Sequence, residues 1–452
     1  MRVLLAYGRH GLAIELPDNH TSVIEPHFVP GLPDERATLA SALEHPMGSA
    51  PLRSLVHPDD SVVIVFPDIT RAMPNDRVLP VVLDALSHVP DRRITLLNAT
   101  GLHRENTPAE LEQMLGSAIT SRYRVVNHRG FIQDDLVHVG RTSFGAEAWL
   151  DAIYVRADKR IVTGFIEPHF FAGFSGGPKM VCPGVAGSPT ILHAHNAEMI
   201  GHPQSTWGVT VGNPIHDEIR EVAAMAPPHF SLSVTLNKRH EITNVFAGEV
   251  FATHQAGCEY VKATAMRPVD RPFDVVISTN SGYPLDLNLY QTVKGMSAAA
   301  QIVRPGGAIV MASECSQGVP AGSHFQQLLA QGSGPDDLLH LIESPGFHRP
   351  DQWQVQVQAI IQRKARVFLK SDGLTDAEIR AAHLIPVQSI EDTVARLLAE
   401  YGPEATIAVL PQGPQTIPYV GAEPPATKVA DYDLRSPPSR AVRTLGAANP
   451  RP

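Results

Sequence analysis

The chain has 452 residues, of which 43% are hydrophobic, and this length is sufficient for two or three domains with buried cores. Its formal net charge of −9, with no long basic run, argues against nucleic acid or an anionic membrane surface as the main partner. We find no apolar stretch of membrane-spanning length and no signal peptide in the sequence, so we expect a cytoplasmic protein.

Strands and helices alternate regularly through the first half of the chain. The hydrophobic pattern predicts strands at 3–6, 12–16, 62–66, 94–98, 123–127 and 159–163, a helix at 76–89, and another that begins at the capping box Thr107-Pro108-Ala109-Glu110. It then predicts a helix at 188–201 with Ser188 as its N-cap and His195 inside it, helices at 213–226 and 252–266, and a hairpin of 230–236 with 241–246.

The pattern resets at 267–272, which indicates a linker. Beyond it we predict strands at 275–279, 308–312, 366–369 and 406–410, helices at 287–303, 322–332, 335–344 and 351–363, and helix starts at Thr375 and Ser389. The sequence therefore predicts two α/β domains, 1–267 and 273–411, with mainly parallel sheets and an active-site cleft between them. A Pro/Ala-rich arm at 412–452 is expected to be loosely ordered.

One stretch, 164–180 (GFIEPHFFAGFSGGPKM), places a carboxylate, an imidazole and a lysine directly after a predicted strand. Ligands of α/β proteins bind beyond the carboxyl ends of strands. Glycines at 173, 176 and 177 would let a phosphate approach the backbone, and Phe170, Phe171 and Phe174 could enclose a flat ring. Lys179 in such apolar company could lose its proton and act as a nucleophile. The alternative is a tight loop with a solvated Lys179.

Two earlier strands also end in polar loops. Arg71, three residues after Asp68, could hold a substrate carboxylate or form a local salt bridge. His103 is either a general acid or base on a rigid strand end or a solvated histidine. With His169 at a third strand end, two imidazoles could exchange protons from two directions. That arrangement suggests a racemase or epimerase.

The chain contains 21 histidines and three widely spaced cysteines without a C-x-x-C motif, so imidazole is the expected ligand if a metal is bound. Residues two apart on a helix point about 200° away from each other, so at most one of His193 and His195 can face a site. His195 shares a face with Ile191 and Met199, as either a core histidine or a metal ligand. His193 is expected at the surface or behind the site.

Gln291 and Lys294 lie three residues apart near the start of the predicted helix at 287–303, and therefore on one face. Both side chains can hold an oxyanion there, helped by the helix dipole. A solvated helix face is the alternative.

Five segments, in order and approximate spacing, resemble the nickel-dependent lactate racemase family across residues 1–410. They are Asp68-Ile69-Thr70-Arg71, Ala99-Thr100-Gly101-Leu102-His103-Arg104, the 164–179 run with Gly184 beyond it, His195-Asn196-Ala197, and Tyr290-Gln291-Thr292-Val293-Lys294-Gly295. The long run at 164–179 is the most specific part of the resemblance.

The resemblance implies a nickel pincer nucleotide, a pyridinium mononucleotide that holds nickel through one carbon and two sulfurs and is tethered covalently to the protein. It implies Lys179 as the tether, His195 as the protein ligand to nickel, and His103 and His169 as the acid/base pair. The substrate would contact Arg71, Gln291 and Lys294, and the cofactor or substrate would also contact Asp68, Phe171, Ser175, Gly176, Gly177 and Tyr290.

The implied reaction is racemisation or epimerisation of a 2-hydroxy acid, lactate-like or larger. One histidine removes the hydroxyl proton while hydride passes from Cα to the cofactor, and the planar 2-keto acid takes the hydride back on its other face. Cofactor-biosynthesis proteins would load the enzyme. The alternatives from other classes are a His-ligated, metal-dependent hydrolase or lyase and a non-catalytic nucleotide- or cofactor-binding protein.

Overall fold

The structure, a computed structural model, describes residues 1–421. Up to the end of the long helix before residue 266 the elements are β1 (Arg2–Leu5), β2 (Leu12–Glu15), β3 (Thr21–Val23), α1 (Glu35–Glu44), α2 (Leu52–Leu55), β4 (Val62–Pro67), α3 (Asn75–Ala85), β5 (Ile94–Ala99), α4 (Pro108–Leu115), α5 (Ser117–Thr120), β6 (Arg124–Asn127), β7 (Leu136–Arg141), β8 (Glu147–Asp151), α6 (Ala152–Arg156), β9 (Lys159–Phe165), β10 (Pro168–His169), β11 (Gly173–Phe174), α7 (Ser188–Ala194), α8 (Ala197–Gly201), α9 (Pro214–Met225), β12 (Phe230–Leu236), β13 (Ile242–Gly248) and α10 (Val250–Ala265).

The remaining described elements form the second half of the chain. They are β14 (Met266–Val269), β15 (Phe273–Thr279), α11 (Leu289–Ala300), β16 (Val303–Ala312), α12 (His324–Leu329), α13 (Pro335–Ile342), α14 (Gln352–Lys364), β17 (Arg366–Lys370), α15 (Asp376–Ala381), β18 (Ile385–Pro386), α16 (Ile390–Tyr401), β19 (Ile407–Leu410) and β20 (Ile417–Val420). Within residues 1–421, no helix is both long and apolar enough to cross a membrane.

The first sheet has the strand order β13-β12-β9-β4-β5-β6, and only β13 runs antiparallel to its neighbour. Every residue of β4 is buried, as expected for a strand covered on both faces. Because β9, β4 and β5 are adjacent and parallel, the loops that follow them leave from the same edge of the sheet.

The second sheet has the order β18-β17-β16-β15-β19-β3 and is parallel throughout. The prediction of two α/β units with mainly parallel sheets is thereby confirmed. The largest hydrophobic core is shared by the two halves, since it joins helices of the first half, such as α7 and α9, to α11 and α14 of the second. This shared core fixes the two sheets around one cleft.

Local capping chemistry sets several helix starts. Thr107 and Glu110 form the predicted reciprocal capping box of α4, and Thr375 with Glu378 forms another at α15. The Asn213 side chain accepts hydrogen bonds from two backbone N–H groups at the start of α9. These elements follow directly from the sequence pattern.

The N-terminal residues differ from our assignment of 1–267 to one domain. The hairpin β1–β2 packs on a hydrophobic core built from β15, β16, β17, β19 and α16, and β3 forms the edge of the second sheet beside β19. Residues 1–24 therefore complete the second α/β unit, because the exposed edge of β19 is paired only when β3 lies there.

The predicted linker and the start of the predicted arm were also wrong in part. Met266–Val269 forms β14 and pairs in parallel with β20, which lies within the stretch expected to be loosely ordered. Backbone pairing thus joins the region between the two halves to the end of the described chain. The rest of the predicted arm, 422–452, lies outside the described residues.

Candidate active site

A pocket that is partly open to solvent lies between the carboxyl edge of the first sheet and helices α11 and α14. It brings together residues that are far apart in the sequence and that we had singled out: Asp68, Arg71, His103, His169, Phe171, Ser175, Gly176, Lys179, His195, Tyr290, Gln291 and Lys294.

His103 and Asp68 form a hydrogen-bonded pair at the ends of β5 and β4, with 2.8 Å between Nδ1 and Oδ2. The Asp68 side chain is 3% exposed and also accepts a hydrogen bond from the Thr70 hydroxyl. Burial opposes ionisation of this carboxyl, but His103, Arg71 and Thr70 together hold its pKa below the usual value. The carboxylate therefore orients the His103 ring and leaves Nε2 facing away from it.

His169 lies in the short hairpin β10–β11, where the Ala172 backbone N–H donates to its Nδ1 at 3.3 Å. That contact assigns the proton of the neutral ring to Nε2. Burial, together with the positive charges of Lys179, Arg71 and Lys294, places the pKa of His169 well below its ordinary value. His169 is therefore a neutral imidazole that presents an N–H donor.

Lys179 lies in a 3-10 turn, Gly177–Met180, with Nζ 5.7 Å from the centre of the Phe171 ring. Burial and the charges of Arg71 and Lys294 move the pKa of Lys179 well below the ordinary value of a lysine. A lower pKa increases the fraction of the neutral amine, which is the nucleophilic form of this side chain.

Two of the predicted contacts in the glycine-rich run are not seen. Gly177 does not line the pocket: it has φ +51° and packs against His254, which would lie 2.7 Å from a Cβ at this position. Phe174 is fully buried in a separate small core with Ile166, so only Phe170 and Phe171 of the three phenylalanines border the pocket. The tight turn accounts for the glycine at position 177, and its predicted contact with the cofactor stays a prediction.

His195 lies at a break between two helices and not inside one helix as predicted. Its backbone (φ −117°, ψ 24°) ends α7, and Asn196 caps α8 by accepting from the Met199 N–H at 2.9 Å. At the start of α7, Gly187 is the N-cap and Ser188 makes no capping hydrogen bond. The Asn196 cap explains the break, because its side chain satisfies a backbone donor that a continuous helix would have paired.

The His195 ring is held in one tautomer. Its Nδ1 donates to the Ile191 carbonyl at 2.8 Å, and its ring packs edge-on against Phe171, 5.1 Å between ring centres. Burial lowers the pKa of His195 to about 4, so the ring is neutral at physiological pH. Nε2 therefore keeps a free lone pair, which is what a metal ligand requires.

His193 lies behind the site, as expected. Its Nδ1 is 2.8 Å from the carboxylate of Glu218, which is buried in α9. The nearby carboxylate raises the pKa of His193. The pair ties α7 to α9 and does not point into the pocket lining.

One side of the pocket carries two basic side chains, Arg71 and Lys294, and the neutral amide of Gln291. Burial and the Arg71 charge lower the pKa of Lys294 to about 7, whereas nearby Glu167 and Asp68 act in the opposite direction. Burial raises the pKa of Glu167 despite the three cations around it. Two cations and an amide on one wall suit a monoanionic carboxylate.

Sequence reasoning missed Trp353 and Gln354, at the start of α14. The Trp353 ring lies 4.9 Å from the His195 ring, and its indole N–H donates to the Tyr290 hydroxyl at 3.0 Å. Gln354 donates to the Tyr290 backbone carbonyl. No local motif marks these residues, because they reach the site only through packing of α14 against the first half of the chain.

The fold and the pocket define a class: a two-unit α/β protein whose interdomain pocket is lined by two lysines of lowered pKa, Lys179 and Lys294, and by three histidines. Two family models match the chain, the lactate racemase N-terminal domain over residues 7–208 and the lactate racemase C-terminal domain over residues 269–417. The chain belongs to the lactate racemase family.

Characterised relatives cover most of the chain. A lactate racemase of Thermoanaerobacterium thermosaccharolyticum is 32% identical over 91% of this chain and 98% of its own length, and one of Lactiplantibacillus plantarum is 36% identical over 84% and 90%. The solved structure of the T. thermosaccharolyticum lactate racemase apoprotein superposes with a TM-score of 0.87 at 32% identity, covering 92% of this chain and all of that one. A Thermotoga maritima protein of known structure shares the fold at 19% identity, with a TM-score of 0.67 over 87% of this chain and all of its own.

Proposed function

We propose that this protein racemises or epimerises a 2-hydroxy acid, lactate or a larger one, with a nickel pincer nucleotide attached to Lys179. Family membership and the lactate racemase relatives support the reaction class. The observation that carries the proposal is the arrangement of His195 and Lys179 in one pocket, where His195 is neutral with a free ring nitrogen and the pKa of Lys179 lies well below the ordinary value of a lysine.

The residues present fit such a group. A metal held by an organic ring needs few protein ligands, and His195 offers one imidazole of the right tautomer. Residues 1–421 contain no cluster of three His, Cys, Asp or Glu side chains placed to hold a metal by themselves. Phe171 offers an apolar ring face near Lys179. When bound, the cofactor would accept hydride from the substrate Cα and return it.

The protein side chains would supply the remaining chemistry. Arg71 and Lys294 would bind the substrate carboxylate, and Gln291 would bind a neighbouring oxygen. His103, with Nδ1–H on Asp68, offers a basic Nε2, whereas His169 offers an Nε2–H donor. The ring that takes the hydroxyl proton would become an imidazolium, whereas the ring that returns a proton to the keto oxygen would have to start as an imidazolium. The two roles would therefore exchange with the hand of the substrate.

The test is to produce the protein with and without cofactor-biosynthesis proteins and to incubate it with single enantiomers of 2-hydroxy acids. We expect one nickel per chain, an added mass on the peptide that contains Lys179, and loss of optical purity for at least one acid. A co-produced protein that has neither nickel nor added mass would contradict the cofactor assignment. A fully loaded protein that leaves every acid optically pure would contradict the reaction.

A further inference from the structure

Helix α14 buries a set of glutamines that the proposed chemistry does not use. Gln352, Gln354, Gln356 and Gln358 are each at most 1% exposed, although they alternate along the helix. A helix with polar side chains buried on opposite faces must be enclosed by protein on both sides. Each buried amide therefore needs a partner, and the partners of three of them identify what α14 holds.

The glutamine contacts fall on two faces. Gln354 and Gln358 are four residues apart and share a face, and their amides donate to the carbonyls of Tyr290 in α11 and of Ala382, both in the second half of the chain. Gln356 points to the opposite face and donates to the Ala197 carbonyl at 2.8 Å, in the first turn of α8. The helix thus contacts the second half on one face and the first half on the other.

The face of Gln356 also carries Trp353, three residues earlier. Trp353 packs on the His195 ring, and Gln356 binds Ala197 two residues further along the chain. Two contacts from α14 therefore flank the helix break at which His195 lies. Helix α14 also contacts the start of α11. The Gln354 amide and the Trp353 indole N–H both donate to Tyr290, which lies one helical turn before Lys294.

We propose that Gln356 and Gln354 are positioning residues, which hold the His195 break and the start of α11 at a fixed separation across the cleft. The inference rests on the proposed function for its catalytic consequence, since His195 would bind nickel and α11 would bind the substrate. Gln356 would fix the position of His195 through its contact with α8, and Gln354 would fix the position of α11 through its contact with Tyr290. A shift of about 1 Å between reacting groups can lower turnover as much as 100-fold.

Gln358 provides a matched control for Gln356. Both amides are buried, both donate to one backbone carbonyl at 2.8 Å, and both leave Oε1 without a partner among the described residues. They differ in the face of α14 and in the half of the chain that they contact. Gln356→Met and Gln358→Met therefore remove equivalent hydrogen bonds with equivalent changes of volume.

The first experiment measures hydrogen exchange in the full-length apoprotein, so it does not depend on the cofactor or on activity. Gln356→Met is expected to speed exchange in residues 195–203 about fivefold, as for loss of one net hydrogen bond, and Gln358→Met is expected to leave that segment unchanged. Wild-type exchange there in Gln356→Met, or equal acceleration in both variants, would overturn the proposal. If Gln356→Met does not fold, Gln354→Met must speed exchange in residues 289–293 for the proposal to stand.

The second experiment uses cofactor-loaded protein with rates normalised to bound nickel. Gln356→Met should lower kcat about tenfold with little change in KM, whereas Gln354→Met should mainly raise KM and Gln358→Met should change neither by more than about twofold. Equal effects on kcat and KM in all three would overturn the positioning role. An inactive, fully loaded wild-type protein would instead refute the proposed reaction, while the exchange result would still decide the positioning role.

Discussion

At the residue scale, the pocket is defined by charges that its surroundings suppress or fix. Lys179, His169 and His195 all have depressed pKa values, and in each case burial is the largest cause. The pKa of Asp68 is also lowered, but in a carboxyl group a lower pKa favours the charged form. His103 and Arg71 thereby keep Asp68 ionised despite its burial. The result is a site in which neutral imidazoles and one anchored carboxylate lie side by side.

The contact of Asp68 with His103 predicts a large effect of a small change. Asp68→Asn keeps the shape but removes the carboxylate that fixes the ring tautomer, so we expect kcat to fall by roughly 10-fold to 100-fold or more with little change in nickel content. Racemisation rates of the loaded variant measure this. Thr70→Val, which removes only the second hydrogen bond to Asp68, is the control. A kcat within twofold of wild type in Asp68→Asn would show that His103 does not need this partner.

The Lys294 pKa of about 7 predicts a pH dependence of substrate binding. A lowered pKa means that the ammonium form is present below pH 7 and is lost as the pH rises through that value. KM for a 2-hydroxy acid should therefore rise from pH 6 to pH 9, since the neutral amine no longer attracts the carboxylate. Lys294→Arg stays charged over this range and should show a flatter profile. If wild type and Lys294→Arg respond alike, another group controls binding.

At the element scale, the loop between β9 and α7 contains a tight turn that has no room for a side chain at position 177. Gly177 and Gly212 both have positive φ, of 51° and 70°, but a Cβ meets His254 at 2.7 Å in the first and nothing within 4 Å in the second. The strain of an L residue is common to both positions, and the clash is specific to Gly177.

Comparison of two alanine variants separates these effects. Gly212→Ala should destabilise the apoprotein by about 1 kcal/mol, the cost of the backbone conformation. Gly177→Ala should cost about 1–3 kcal/mol more, because His254 must move. Urea denaturation of both variants measures the difference. Equal losses would mean that His254 yields without cost.

Much of the fold could be predicted from the sequence because the signals are local. Apolar runs identify the buried strands, and side-chain caps such as Thr107 and Asn213 identify helix starts. The pocket residues at strand ends could be assembled for the same reason, since parallel neighbours bring their loops to one edge.

The remaining features depend on contacts distant in sequence. Strand β3 lies at the edge of the second sheet because it pairs with β19, and no local sequence pattern predicts this pairing. Trp353 reaches His195 through the packing of α14, and the break at His195 competes with a sequence that otherwise continues as a helix. Gly177 illustrates a different limit: a glycine required by a turn has the same sequence signature as one required by a ligand.

At the scale of the whole molecule, the two α/β units are not consecutive segments of the chain. The second unit takes its edge strand and one covering hairpin from residues 1–24, and Ile24 donates to the Val409 carbonyl at 2.9 Å. The apolar side chains of Val3, Leu5 and Ile14 are nearly inaccessible in this contact. Residues 1–24 are therefore part of the second α/β unit, although more than 200 residues separate them from the rest of that unit in the sequence.

A fragment experiment tests this dependence. Residues 266–421 alone keep β14 but lack β3 and the hairpin, so we expect them to expose the edge of β19 and to aggregate or to unfold without cooperativity. A chain in which residues 1–24 are joined to this fragment through a flexible linker should gain a cooperative transition by circular dichroism. Cooperative unfolding of the fragment alone would contradict the assignment.

The position of β3 also bears on the order of events during synthesis. The strands of the first sheet, between residues 62 and 248, are all available before the second sheet has its first central strand. Strand β3, although it precedes every strand of the first sheet in the chain, finds its partner only after β19 has been made. The apolar residues of the β1–β2 hairpin likewise have no complete core until the strands from β15 to β19 have been made, and chaperones would protect them while they are exposed.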